Sequence, residues 1–128
     1  MDFRLTDEQA LLRETIREFA EGEIAPNAAT WDEEEHFPAE IIPQLAEIGV
    51  MGIPIPEEYG GVGMGNLEYA MAVEELSKAC ASTGVTVSAH TSLCCWPIYR
   101  SLSVMPPAAC RFILSVFPPV YRFLHPGR

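Results

Sequence analysis

Beyond Glu75 the chain has no acidic residue, and throughout it is short of basic ones: eight Lys and Arg stand against 18 Asp and Glu, a formal net charge of −10. A protein that tracks a phosphate backbone needs clustered cations, so no nucleic acid is expected as a partner. The imbalance is also uneven. Every acidic residue precedes residue 76, whereas Arg100, Arg111, Arg122 and Arg128 lie near the end, so two compositions share one chain.

Other absences narrow the class further. Met1-Asp2-Phe3-Arg4 shows no basic segment leading into an apolar run, so no secretory signal is expected and a cytoplasmic (bacterial) location is the default. Cys80, Cys94, Cys95 and Cys110 form neither Cys-x-x-Cys nor the rhythm of a small secreted domain. Free, buried thiols are expected, and Cys94-Cys95 lacks a partner base in an apolar segment that raises a thiol pKa. Gly61, Gly63 and Gly65 miss the Gly-x-Gly-x-x-Gly spacing and have no Lys-Ser/Thr after them, so they read as turn glycines rather than a phosphate cradle. His36, His90 and His125 are scattered, and no metal site is expected. Glu57-Glu58 and Glu74-Glu75 are adjacent pairs whose members point to different faces of a helix, and they read as solvated carboxylates.

Formal charge is missing from Ala79 through Tyr99 as well. That length suffices for a bilayer, but Ser82, Thr83, Thr86, Ser88, His90, Thr91, Ser92 and Pro97 make it too polar to insert. A helix buried on nearly all sides by its own protein is the expectation, with no membrane span.

What is present suits one all-α domain: 128 residues, 48% of them hydrophobic. Thr6-Asp7-Glu8-Gln9 offers a capping box, and Leu11, Leu12, Thr15, Ile16, Phe19 and Ala20 give a helical stripe, predicting a helix from Asp7 to about Ile24, before Pro26. Asn27–Phe37, with Asp32-Glu33-Glu34-Glu35, reads as a solvated helix turn or loop. Pro38 opens a second helix with Ile41, Ile42, Leu45, Ala46 and Ile48 inside and Gly49 as its left-handed C-cap. Val50–Asn66, rich in Pro and Gly but also apolar, is an ordered connector that lays side chains on the core. Asn66 is expected to cap a third helix ending near Ala81, with Tyr69, Ala70, Val73, Leu76 and Cys80 inside and Glu68, Glu74, Glu75 and Lys78 outside. On the fourth helix, capped by Ser82 or Thr83, Thr86, Ala89, His90, Leu93 and Pro97 fall on a single face of low bulk. That face reads either as an apolar cavity wall or as ordinary helix packing. After Ser101, Pro106-Pro107, Pro118-Pro119 and Pro126 interrupt every helical period, predicting an irregular, disordered tail.

Asp7-Glu-Gln through Phe19-Ala20, the Pro38–Gly49 helix, Ile55-Pro-Glu-Glu-Tyr-Gly-Gly-Val-Gly-Met, Val73-Glu-Glu-Leu-Ser-Lys and Ala79–Tyr99 together resemble the N-terminal helical domain of flavin-dependent acyl-CoA dehydrogenases over residues 1–100. His90-Thr91-Ser92-Leu93 is similar to short-chain and branched-chain, butyryl-CoA dehydrogenase-like members. The resemblance implies a three-domain, tetrameric enzyme with one FAD per subunit, which takes acyl-CoA substrates and passes electrons to an electron-transfer flavoprotein. It implies a glutamate base and most of the flavin site beyond residue 128, so that this chain supplies no catalytic and no cofactor-binding residue. Thr86, Ala89, His90 and Leu93 would line the acyl pocket. Residues 101–128 depart from the family and read as an aberrant tail from a truncated or frameshifted reading frame. A fragment inactive alone is therefore expected, with a stand-alone helical interaction module as the alternative reading.

Overall fold

The computed structural model describes residues 4–101. Four helical runs account for most of them, and no strand occurs among the described residues. The expected disordered tail and Cys110 lie outside the described residues.

Helix α1 (Asp7–Phe19) starts where the capping box predicts: the Gln9 N–H donates to Thr6 Oγ1 at 3.2 Å and the Thr6 N–H donates to Gln9 Oε1 at 2.9 Å. The run does not stop at Ile24; of the two readings of the segment that follows, helix turn or loop, the helical one holds as far as Glu33. A π turn over Ala20–Ile24 leads straight into α2 (Ala25–Glu33), whose first turn contains Pro26. The i→i+5 turn hands the chain to a new first turn, where proline's missing donor costs nothing. Helix α2 closes with Glu35 in the left-handed region (φ 51°), while the His36 N–H donates to the Trp31 carbonyl at 2.8 Å.

Helix α3 (Ile41–Glu47) buries Ile41 and Leu45 and ends, as predicted, before a left-handed Gly49. Pro38 precedes it in a turn rather than opening it. The connector is ordered: N–H groups of Val62, Gly63 and Met64 donate to carbonyls of Gly52, Ile55 and Ile53 at 2.8–3.1 Å, and Val50, Met51, Ile53 and Ile55 are buried. Its Gly61 lies so close to the Ile55 carbonyl that a Cβ would overlap it.

Helix α4 (Asn66–Ala79) is capped at Gly65, with Asn66 its first residue, and the Gly65 N–H donates to Glu68 Oε2 at 3.0 Å. Gln9 Nε2 donates to the other oxygen of Glu68 at 2.6 Å, joining the caps of α1 and α4. Helix α4 packs against both α1 and α5. It therefore buries Met71, Ala72, Glu75 and Leu76, while Ala70, expected inside, is exposed. Cys80 leaves helical geometry and caps α5 (Ala81–Ala89), which runs through a second π turn, His90–Cys95, into α6 (Trp96–Ser101). This last run is not buried on nearly all sides. Thr83, Gly84, Val87, Thr91 and Cys95 face inward, while Val85 and Leu93 are 66% and 73% exposed. No described helix is long and apolar enough to cross a membrane.

Candidate functional site

The fourth run places the four predicted wall residues differently. Thr86 and Ala89 lie in α5 and are half-buried, as is His90, which opens the π turn, whereas Leu93 sits further inside that turn and is largely exposed. Pro97, beyond that turn, is exposed and out of α-helical register with the others. The Thr86 hydroxyl donates back to the Ser82 carbonyl at 2.8 Å, leaving its methyl to face a neighbour. With Phe37, Pro38, Ile41, Ile42, Ser82 and Thr83 it lines a cavity of about 10 Å³, large enough for a single water. Thr83, which shares this cavity, is itself buried.

Two contacts pin the run. Tyr69 Oη donates to the Ser88 carbonyl at 3.1 Å, and Thr91 Oγ1 donates to the Met51 carbonyl at 3.4 Å. The π turn thus rests on the connector, and α5 on α4.

His90 Nε2 and Cys95 Sγ lie 3.1 Å apart. An α-helix would set residues five apart on different faces, so spacing alone leaves Cys95 without a partner base; the i→i+5 turn supplies one. Burial lowers the His90 pKa, and burial first and Cys94 second push the Cys95 thiol up to about 12. The pair is a neutral imidazole beside a protonated thiol, not a nucleophilic dyad. Cys80 differs. Burial raises its thiol, but hydrogen bonds from the Ser82 and Thr83 side chains and amides outweigh that, and its pKa is lowered.

A second ionic cluster escapes a reading by helical spacing. Glu75, expected in solvent, is 5% exposed and accepts from Arg17 Nε and Nη2 at 3.2 Å each and from Lys78 Nζ at 3.0 Å. Its neighbour Glu74 stays exposed and pairs with Lys78 at 2.9 Å. The pair does point to two faces, but α4 is covered on both sides, so one of those faces is interior. Arg17, Ala20, Glu21, Ala25, Glu75, Lys78 and Ala79 surround a cavity of about 220 Å³ beside the first π turn. No group of three potential metal ligands occurs among the described residues.

Residues 6–103 match the family model described as "Acyl-CoA dehydrogenase, N-terminal domain". The chain belongs to this family. Over 94 residues it is 57% identical to the short-chain specific acyl-CoA dehydrogenase of Clostridium acetobutylicum, covering 73% of this chain and 25% of that one. Among solved structures, butyryl-CoA dehydrogenase from Megasphaera elsdenii aligns with a TM-score of 0.78 at 34% identity, covering 94% of this chain and 31% of that one. A chain in the structure of the electron transferring flavoprotein of Acidaminococcus fermentans aligns with a TM-score of 0.75 at 45% identity, covering 78% and 26%. This acyl-CoA dehydrogenase N-terminal domain therefore spans about a quarter of the length of the curated relatives it matches.

Proposed function

We propose that residues 1–100 are the N-terminal helical domain of an acyl-CoA dehydrogenase and that Thr86, Ala89, His90 and Leu93 form a wall of its acyl pocket. One observation supports this reading: within the stretch matched to the family, the fourth helical run carries an uncharged face of small and apolar side chains that the other described residues cover only in part, with Thr86, Ala89 and His90 half-buried and Leu93 exposed. Small residues there would set the permitted chain length by the space they leave. Residues 104–128 lie outside the stretch matched to the family model. A stand-alone interaction module is not favoured, because the relatives and structural neighbours are acyl-CoA dehydrogenases.

In the full-length reading, a bound FAD would supply the hydride acceptor for the acyl β-carbon, and the carboxylate that takes the α-proton would come from outside this chain. We infer that the described residues alone do not hold such a cofactor. Their cavities of about 10 and 220 Å³ fall short of the roughly 300–1,000 Å³ of a small-molecule pocket. The isolated chain is therefore expected to purify colourless and to leave acyl-CoA unoxidised. An electron-transfer flavoprotein partner and a tetramer belong to the complete enzyme in the same reading.

The test is a chimera in which the matched 94 residues replace their counterpart in the Clostridium acetobutylicum enzyme. Flavin binding and oxidation of a short-chain acyl-CoA are expected. Ala89→Leu in the chimera should lower kcat/KM for longer acyl chains about tenfold or more, at about 1–3 kcal/mol per methylene of lost space. An active chimera whose chain-length profile ignores position 89 would remove that residue from the wall.

A further inference from the structure

The second π turn joins two side chains whose chemistry decides what the proposed wall can offer. Cys95 is 2% exposed, and among the described residues its only side-chain hydrogen-bond partner is His90 Nε2, at 3.1 Å. With its pKa pushed up to about 12, the thiol keeps its proton at neutral pH, and burial keeps the imidazole neutral. A neutral imidazole has one donor and one acceptor nitrogen, while sulfur is a weak acceptor. Were Nε2 to carry the ring proton, the ring's better acceptor nitrogen would face away and the buried S–H would have no acceptor. With the proton on Nδ1, the S–H points at the strongest acceptor in reach and the pair is satisfied.

We propose that Cys95 is a positioning residue for His90: it donates its thiol proton to Nε2 and holds the ring as the neutral Nδ1–H tautomer, giving the wall an uncharged donor at its centre. A wall of Thr86, Ala89, neutral His90 and Leu93, in a stretch with no formal charge from Ala79 to Tyr99, suits an uncharged acyl tail. A tail ending in a carboxylate would find no cation on it. This use of the donor rests on the acyl-wall reading; the tautomer does not.

Long-range proton–nitrogen NMR of the imidazoles in the whole chain at neutral pH reads the tautomer directly. The wild-type His90 signal should show a protonated Nδ1 and an unprotonated Nε2. Cys95→Ala should lose that pattern in favour of the Nε2–H form, and Cys95→Ser, whose hydroxyl still donates, should restore it. A wild-type His90 protonated at Nε2, or a folded Cys95→Ala variant with the Nδ1–H pattern intact, would overturn the proposal. The wild-type spectrum decides even if the alanine variant does not fold. A chimera indifferent to Ala89→Leu, with the tautomer as expected, would remove the wall and leave the His90–Cys95 pair standing.

Discussion

Glu75 ties α1 to α4, and its titration carries the stability of that contact. The Arg17 hydrogen bonds are the largest influence and lower its pKa from the usual 4.5; burial opposes them and Lys78 assists. A folded pKa below the unfolded one contributes stability that is fully present above about pH 4.5 and is lost as pH falls through the folded value. Arg17→Leu removes that support and leaves burial pushing the carboxyl up. Urea unfolding followed by circular dichroism should show a lower midpoint at pH 7, the loss being moderated by solvent screening of Arg17. The acid-unfolding midpoint should move to higher pH; an unchanged midpoint would mean that the pair adds nothing.

Two helix-level features run against propensity. Gly84 lies mid-helix in α5, where alanine is normally favoured by about 1 kcal/mol, yet a Cβ there would sit 3.1 Å from Ser77 Cα and collide with the Ser77 side chain. Overpacking costs about 1–3 kcal/mol, so Gly84→Ala should destabilise by a net of up to about 2 kcal/mol, read as a lower urea midpoint. The opposite holds at Glu35, whose φ of 51° puts a side chain in the left-handed position that ends α2. Glu35→Gly removes that strain, and a carboxylate from the negative end of the helix, and should raise stability by about 0.5–1 kcal/mol. Some of this was legible in residue order: the Thr6–Gln9 box and the Gly49 stop are local backbone chemistry, complete within a few residues. Glu75 was not, because nothing within α4 tells which of its two outward faces meets α1. The π turns were hidden too, since the expected period is that of an unbroken α-helix.

For the whole molecule, Leu11, Leu67, Val85 and Leu93 are each more than half exposed, while the net charge of −10 favours dispersal. Sedimentation at low ionic strength should show mostly monomer, and screening salt should bring on self-association as repulsion fades. Val85→Glu with Leu93→Glu should weaken that association at least tenfold with the helical signal unchanged; equal association in the double variant would clear this face of the role.

Residue order alone determined the all-α class, the caps at Thr6 and Gly49, the apolar connector and the absence of clustered cations, because each depends on neighbours within a turn or on composition. The tertiary structure decided the rest. Only packing against α1 makes Glu75 an interior ion pair, and only the π turn on the Met51 carbonyl brings His90 to Cys95. Both outcomes depend on groups that meet through folding or through a shift in helical period, and neither can be read from an α-helical count along the chain.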